Sequence, residues 1–280
     1  MGWFGGRNAD CARRAALPPF GIALDELVDT HAHLHDRAFD SDRAQTCARM
    51  RASGIANAIT VGCDIEDSQR AVACAEAFGL FASVGIHPHE AKASPENIER
   101  AFAPFLVNTR VVAIGETGLD YHYMHSPAAV QQSVMRAQIA CARRAAMPVI
   151  FHHRDAFADF TTILRQEWSE GMRGVVHCFT GDAEQARTYV EEFGLYLGIG
   201  GVLTFKNAQH VRDAVAAVGV ARLVLETDCP YLAPIPKRGR RNEPAFLRDV
   251  APVLAQNLGL SVASVARATS ANARALFALS

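Results

Sequence analysis

Histidines and acidic residues that are able to bind metal follow short apolar segments at several places in this 280-residue chain. Five such groups read Asp29-Thr30-His31-Ala32-His33, Gly115-Glu116-Thr117-Gly118, Phe151-His152-His153-Arg154, Val176-His177-Cys178 and Glu226-Thr227-Asp228. Imidazole combined with carboxylate suits zinc, manganese, iron or nickel better than calcium. A lone histidine in such a position is more often a hydrogen-bonded core residue, but five groups of one kind predict a metal-dependent catalyst.

The spacing of these residues indicates how many ions they can hold. His31 and His33 are two residues apart, so on a strand their side chains point to the same face and can bind one ion together. Four histidines, one glutamate and one aspartate are more than one four-coordinate site uses, and they suffice for two divalent ions if one carboxylate bridges them. Glu116 is the candidate bridge, and zinc, manganese, magnesium, nickel and iron are not distinguished.

Such groups need a scaffold that brings several strand ends together. Eight apolar runs read as strands, and they span Leu27–Leu34, Ala56–Val61, Phe81–His87, Val111–Leu119, Pro148–Arg154, Gly174–Thr180, Leu195–Gly200 and Arg222–Cys229. Helix-like stretches lie between or after them, for example Ala128–Ala146, Ala183–Phe193 with Asp182 as N-cap, Glu243–Asn257 and Ser261–Leu279. Alternating strands and helices indicate parallel βαβ units.

The number of units decides between two parallel architectures. Runs such as VVAIG suit strands that are buried on both faces. A doubly wound open sheet would usually have fewer strands and a Gly-rich first turn, which the sequence lacks. The chain is therefore predicted to be α/β, a single (β/α)8 TIM-type barrel with a metal site at the C-terminal rim of the strands.

Composition and charge narrow the class further. Half of the residues are hydrophobic and 20% are charged, which is typical of a globular protein with a large core. The formal net charge of −1 gives no general attraction for nucleic acid, so any phosphate-binding surface must be local. The odd number of seven cysteines, without a C-x-x-C pair, argues against a disulfide scaffold and favours the cytoplasm.

The first 24 residues contain no apolar run long enough for a signal-peptide core or a membrane span. We expect residues 1–24 to be an N-terminal extension that is free to move, and residues 25–280 to form the barrel. A mitochondrial-type transit peptide is the alternative, which Asp10 and the scarcity of hydroxyl residues disfavour. No membrane is expected as a partner.

Seven segments carry a resemblance to a known family. DTHAHL, GIHPH, GETGLDY, HHRDA, HCFTG, ETDCPYL and RRNEP occur in this order, and they resemble the signature blocks of the TatD-type metal-dependent deoxyribonucleases of the amidohydrolase superfamily. The resemblance runs from about Leu27 to Asn272-Ala273-Arg274. It implies a metal-dependent hydrolase that cleaves phosphodiester bonds, as an exonuclease on single-stranded DNA or RNA.

The resemblance also assigns residues. It implies that His31, His33, Glu116 and Asp228 hold one ion and that Glu116, His152 and His177 hold the other. Asp228 would also orient the attacking water or accept its proton, so Asp228 and Glu116 are the expected catalytic residues. The sequence departs from the family pattern at His35, where the family more often has Asp, and at His153, where it often has Ser.

Residues around these positions are expected to contact the substrate. Arg154 lies two residues after His152 on the same strand face and would bind phosphate, although a salt bridge to Asp155 or another carboxylate is an equal alternative. His87 and His89 would contact substrate or support the ligands, and Tyr123 would stack on a base. A basic run in the loop after the last strand, Lys237, Arg238, Arg240 and Arg241, is predicted to bind flanking phosphates, with Arg238 and Arg240 as the main contacts. The alternative is a solvated surface loop, which is what a charge run usually is.

Two other functions compete with the nuclease. The first is an amidohydrolase that cleaves a C–N bond or a lactone, but such enzymes often bridge their ions with a modified lysine, and none of Lys92, Lys206 and Lys237 ends a strand at that position. The second is a metal-stabilised scaffold without turnover, which the intact ligand set disfavours. Cys178 and Glu226 adjoin ligands, and we expect them to pack and to form supporting hydrogen bonds.

Overall fold

The computed structural model describes residues 27–279 and contains the eight predicted strands. The strands are β1 Leu27–Ala32, β2 Ile55–Val61, β3 Phe81–Val84, β4 Val111–Asp120, β5 Val149–Arg154, β6 Gly174–Val176, β7 Tyr196–Ile199 and β8 Leu223–Leu225. Several are shorter than predicted and end before the last residues assigned to them from the sequence. His33, His87, His177 and Asp228 therefore lie in loops just beyond strand ends.

Nine α-helices lie within the described residues. They are α1 Arg43–Ala52, α2 Ile65–Phe78, α3 Ile98–Leu106, α4 Ala128–Ala145, α5 Phe157–Glu167, α6 Ala183–Arg187, α7 Gln209–Val218, α8 Leu247–Leu258 and α9 Val262–Phe277. The predicted N-cap Asp182 accepts a hydrogen bond from the backbone N–H of Gln185 at 2.9 Å. The prediction that a helix begins at Glu243 was wrong: Glu243 is extended and bound to Arg49, and a 3-10 turn precedes α8.

The sheet closes into a barrel. Its strands are parallel and neighbour one another in sequence order from β1 to β8. A parallel bridge between Ala32 and Cys229 joins the end of β1 to the loop after β8. There the N–H of His33 donates to the carbonyl of Cys229 at 2.7 Å, and the N–H of Asp228 donates to the carbonyl of His31 at 2.8 Å. The predicted (β/α)8 TIM-type barrel is confirmed, and its closure sets two metal-binding segments side by side.

Two apolar clusters hold the barrel together. The larger one fills the layer between the strands and the surrounding helices. The smaller one lies inside the barrel and includes Val28 of β1, Ile150 of β5 and Val224 of β8. Ala273, Leu276 and Phe277 of α9 belong to this inner cluster, so the last helix covers the end of the barrel opposite the metal-binding rim. Inward-pointing strand residues thus form a packed core rather than a pore.

No helix within residues 27–279 is long and apolar enough to cross a membrane. The predicted N-terminal extension, residues 1–24, lies outside the described residues. The cysteines of the described part are free, and they are Cys47, Cys63, Cys74, Cys141, Cys178 and Cys229.

Candidate metal centre

Strand β1 brings the histidine pair to the rim. The rings of His31, inside β1, and His33, just beyond it, have centroids 5.1 Å apart. Nδ1 of His33 donates to the carbonyl of Val61 at 2.9 Å, which leaves Nε2 facing Oδ1 of Asp228 at 3.5 Å. His31 is fully buried, yet neither of its ring nitrogens has a hydrogen-bond partner. Because a buried polar atom is rarely left unpaired, His31 fits a ligand that binds a cation.

Glu116 lies between two groups of histidines. Its Oε2 is 3.3 Å from Nε2 of His31. Its Oε1 is 2.6 Å from Nε2 of His177 and 2.9 Å from Nδ1 of His152. One carboxylate oxygen therefore faces the histidine of β1, and the other faces the histidines of β5 and of the loop after β6. This is the arrangement that a carboxylate bridging two ions requires.

His152 is held by a residue that the sequence analysis missed. Asp120, the last residue of β4, is buried and accepts hydrogen bonds from Nε2 of His152 at 3.1 Å and from Nε2 of His89 at 3.0 Å. Strands β4 and β5 approach closely here, and only a glycine at position 118 permits this, because a Cβ on Gly118 would lie 1.9 Å from the carbonyl oxygen of His152. Asp120 directly follows the predicted strand Val111–Leu119, so its place at a strand end, like that of the other acids, was a signal that could have found it.

Glu226 supports His177 from beneath the centre. Its Oε1 accepts a hydrogen bond from the N–H of Cys178 at 2.5 Å and lies 3.6 Å from Nδ1 of His177. A Cβ on Gly198 would lie 2.1 Å from Oε2 of Glu226, so only glycine leaves room for this carboxylate. Burial, followed by the charges of Asp228 and Glu226, raises the pKa of the Cys178 thiol well above its usual value. This agrees with the expected packing role of Cys178.

Asp228 adopts a backbone conformation that is unusual for a residue with a side chain. Its φ of 57° is in the left-handed region, where strained residues at functional sites are often found. The hydrogen bond from its N–H to the carbonyl of His31 holds it there, and the N–H of Tyr231 donates to its carbonyl at 2.9 Å. The carboxylate thereby points towards Nε2 of His33 and, at 3.8 Å, towards Nε2 of His31.

The charges of the centre are coupled. Burial opposes ionisation of Glu116, but His177, His87 and His31 outweigh it, and the pKa of Glu116 is held well below its usual value. Burial likewise lowers the pKa of His177, but Glu116 more than reverses this, so that the pKa of His177 is raised well above its usual value. The centre therefore holds an ionised carboxylate against a proton on His177, and a divalent ion would compete with that proton.

Within residues 27–279, three sets of side chains offer ligand atoms within 4.8 Å of one another. The first is His31, His33 and Glu116, which are three of the four ligands predicted for one ion; Asp228, the fourth, is not in the set. The second joins Glu116 and His152 to His87, whose Nε2 is 3.6 Å from Oε1 of Glu116. The third is His31, His177 and Glu226, so His177, predicted to share an ion with Glu116 and His152, is in a different set. His87, predicted from the sequence to contact substrate or support the ligands, is thus also placed as a possible ligand.

The other expected substrate contacts lie around the rim. Arg154 is exposed, and its guanidinium lies 4.8 Å from the centre of the Tyr123 ring, which is itself 52% exposed. Asp155, the alternative partner of Arg154, pairs with Nδ1 of His122 at 3.0 Å. His89 is bound to Asp120 and is therefore placed behind His152.

The basic run after β8 does not act as one group. Arg241 binds both oxygens of Asp42 at 2.7 Å, so the expectation that it binds phosphate is not supported by its contacts. The Arg238 guanidinium lies 4.0 Å from the centre of the Phe205 ring, and Lys237 lies 5.3 Å from that of Phe246. Arg240 is exposed.

The departures from the family pattern also have defined partners. His35 is buried, and its Nε2 lies 3.0 Å from Oδ2 of Asp67 while its Nδ1 is 2.7 Å from the hydroxyl of Thr60. His153 packs against the rings of Phe160 and Tyr189. Neither residue lies in any of the three sets of possible ligands.

A closed α/β barrel whose rim carries buried histidines around a shared carboxylate defines a metal-dependent hydrolase. The model of the family "TatD related DNase" matches residues 28–278, so the chain belongs to the TatD-related DNase family. It is an enzyme of a metal-dependent nuclease family, and it acts on ester bonds.

Individual relatives agree with this family. The chain is 40% identical over 252 residues to the "uncharacterized metal-dependent hydrolase YabD" of Bacillus subtilis, with 90% of this chain and 98% of YabD covered. It is 37% identical over 261 residues to the "3'-5' ssDNA/RNA exonuclease TatD" of a Rahnella species, with 91% and 99% covered. The crystal structure of the TatD homologue YJJV from Escherichia coli superposes with a TM-score of 0.86 at 28% identity, covering 92% of this chain and 100% of that one.

Proposed function

We propose that the protein is an exonuclease that removes nucleotides from the 3′ end of single-stranded DNA or RNA with two divalent ions. The observation that carries this proposal is the position of Glu116, whose two oxygens face different histidines at 3.3 Å and 2.6 Å. The name of the Rahnella relative supports the class of substrate and the direction of cleavage. The free cysteines of residues 27–279 support a location in the reducing cytoplasm.

The proposed ligands fall into two sets that share Glu116. His31, His33, Glu116 and Asp228 would hold one ion, and Glu116, His152 and His177 would hold the other. The close approach of His31, His33 and Glu116, and of His87, Glu116 and His152, supports this division and puts His87 within reach of the second ion. Divalent ions at this position supply positive charge to phosphate oxygens and acidify water.

Asp228 is the proposed proton acceptor. Burial raises its pKa, but the hydrogen bond from His33 and the neighbouring His177 and His31 lower it more, so the carboxylate is ionised at neutral pH. An ionised carboxylate at the rim is able to orient a water molecule for attack on phosphorus and to accept its proton. Glu116 is the second proposed catalytic residue, because it is shared by the two ligand sets and would fix the distance between them.

The substrate contacts follow from exposure. Tyr123 and Arg154 form an exposed pair in which the ring is able to stack on a base and the guanidinium is able to bind a phosphate. Arg238 and Arg240 would bind phosphates further along the strand.

A sharp test uses the full chain loaded with metal. A single-stranded oligonucleotide labelled at its 5′ end should be shortened stepwise from the 3′ end, and chelator should stop the reaction. Glu116→Gln and Asp228→Asn should each lower the rate at least 100-fold, because each removes a charge from the centre. If amides or lactones are hydrolysed while the oligonucleotides remain uncleaved, the C–N or lactone hydrolase is favoured instead. If no ester or amide is hydrolysed at all, the scaffold is favoured.

A further inference from the structure

Two pockets open from the metal centre in different directions. One has a volume of about 540 Å³ and extends over the ends of β1 to β4. The other has a volume of about 420 Å³ and extends over the ends of β5 to β8. Both are lined by His152, His177 and Asp228, so a molecule bound at the centre reaches into both. We call them the first pocket and the second pocket.

The first pocket is acidic. Besides Glu116 and Asp228 of the centre, four carboxylates line it, and they are Asp36, Asp64, Asp67 and Glu90. No arginine or lysine of residues 27–279 is among its lining residues. Of the four carboxylates, Asp67 has an arginine partner, Arg70 at 2.7 Å, which leaves most of the negative charge uncompensated. A phosphate group entering here would meet carboxylates of the same sign.

The second pocket has the opposite character. Asp228 is its only carboxylate among the described residues, and its walls include Arg154, Asn207, His210 and Phe205. The exposed Arg238 guanidinium stacks on Phe205 at 4.0 Å. An aromatic ring beside guanidinium groups and an amide suits a nucleic acid strand, since a ring is able to stack on a base and the donors bind phosphates.

We propose that the polynucleotide leaves the centre through the second pocket and that the first pocket accepts only the terminal nucleoside, with a free 3′-hydroxyl, so that strands ending in a 3′-phosphate are rejected. This inference rests on the proposed exonuclease function. The ring of Tyr231, 56% exposed, lines the first pocket and offers a surface on which the terminal base can stack.

The chemistry of one turnover is consistent with this arrangement. Water bonds to the phosphorus on the 5′ side of the terminal nucleoside, and the bond from phosphorus to the preceding 3′-oxygen breaks. The terminal nucleotide leaves as a 5′-monophosphate, and the preceding 3′-oxygen takes up a proton. The shortened strand again ends in a 3′-hydroxyl, which the first pocket accepts in the next turnover.

The metal-loaded full chain is tested on two single-stranded oligonucleotides of the same sequence. One oligonucleotide ends in a 3′-hydroxyl and the other in a 3′-phosphate. The parent should cleave the 3′-phosphate strand with a kcat/KM at least 10-fold lower. The double substitution Asp36→Asn and Glu90→Gln should narrow that ratio at least 3-fold, because it removes two charges while the amide introduced at position 36 keeps an oxygen that is able to cap Ala38. The ratio should narrow because the double variant cleaves the 3′-phosphate strand faster than the parent does.

A matched control variant tests whether the effect belongs to the first pocket. Glu96→Gln with Glu191→Gln removes two exposed carboxylates that line neither pocket, and it should leave the ratio unchanged. Equal rates of the parent on both strands would overturn the inference. It would also be overturned if the two double variants changed the ratio of kcat/KM between the two strands equally, or if neither variant changed it. If neither strand is cleaved while a small phosphodiester is turned over, the exonuclease proposal itself fails.

Discussion

Nε2 of His152 donates a hydrogen bond to Oδ2 of Asp120 at 3.1 Å, and Asp120 lies in none of the three sets of possible ion ligands. The bond fixes the proton on Nε2 and leaves Nδ1 facing Glu116, so Asp120 acts on an ion only through His152.

Asp120→Asn should therefore weaken metal binding without removing a ligand. We expect the affinity of one of two ions to fall about 10-fold to 100-fold, as is usual when the partner of a metal-binding histidine is changed. Calorimetric titration of the metal-free protein measures this. Asp213→Asn, on the exposed face of α7, is the matched control and should bind both ions like the parent. An unchanged affinity in the Asp120 variant would show that the bond does not orient His152.

Glu116→Gln and His33→Gln should differ in how much metal they lose. Glu116 contacts both ligand sets, whereas His33 belongs to one. Elemental analysis after dialysis should find about two ions per chain in the parent, about one in the His33 variant and less than one in the Glu116 variant. A Glu116 variant that keeps as much metal as the His33 variant would argue against a shared carboxylate.

Asp29 should make the stability of the metal-free protein depend on pH. Burial is the main cause that raises its pKa from 3.8 to about 8, although hydrogen bonds from Thr227 oppose the shift. The folded chain therefore keeps a proton that the unfolded chain releases above its lower pKa. The contribution of protonated Asp29 to the free energy of unfolding is therefore complete below pH about 4, and it is lost as the pH rises towards about 8.

Asp29→Asn should remove that dependence, because the amide stays neutral and is still able to hydrogen-bond to Thr227. We expect the variant to gain Tm over the parent between pH 5 and pH 8, by about 2 to 4 °C for each kcal/mol recovered. Thermal unfolding of both metal-free proteins at several pH values gives the difference. Parallel curves for parent and variant would mean that Asp29 is ionised in the folded protein.

Of the arginines after β8, Arg238 and Arg240 should bind substrate, whereas Arg241 should have a structural role. Arg238→Gln with Arg240→Gln should weaken binding of a single-stranded oligonucleotide and reduce the slope of log affinity against log salt by about 1.4, since two phosphate contacts are lost. Cleavage of a small phosphodiester should change little. Arg241→Gln should leave the slope unchanged and cost about 1 kcal/mol of stability, because it breaks the pair with Asp42. Equal losses on both substrates would contradict the division.

The proximity of the candidate ligands was predictable because it depends on local order along the chain. Each follows an apolar run, and a barrel brings the ends of all its strands to one rim. His31 and Glu116, 85 positions apart, needed no more than that to be placed together. The alternation of strands and helices was equally local, since buried parallel strands have an apolar pattern of their own.

What the sequence could not predict depends on register and on distant partners. Gly118 pairs with His152 across β4 and β5, and this register brings Asp120 within reach of the His152 ring. Arg241 was taken for a phosphate contact because its partner Asp42 lies 199 positions away. The acidic character of the first pocket likewise arises from loops after different strands, which no single segment reveals.

The inner apolar cluster sets an order for events during synthesis of the chain. Val28 enters the ribosome's tunnel early, yet its neighbours Ala273, Leu276 and Phe277 are made about 245 residues later. At roughly 5 to 20 residues per second, β1 waits on the order of 12 to 50 s for α9. During this interval the open barrel exposes an apolar lining and unpaired strand edges, which is when chaperones would act on it. Docking of α9 onto the inner cluster thus comes after all eight strands have been made.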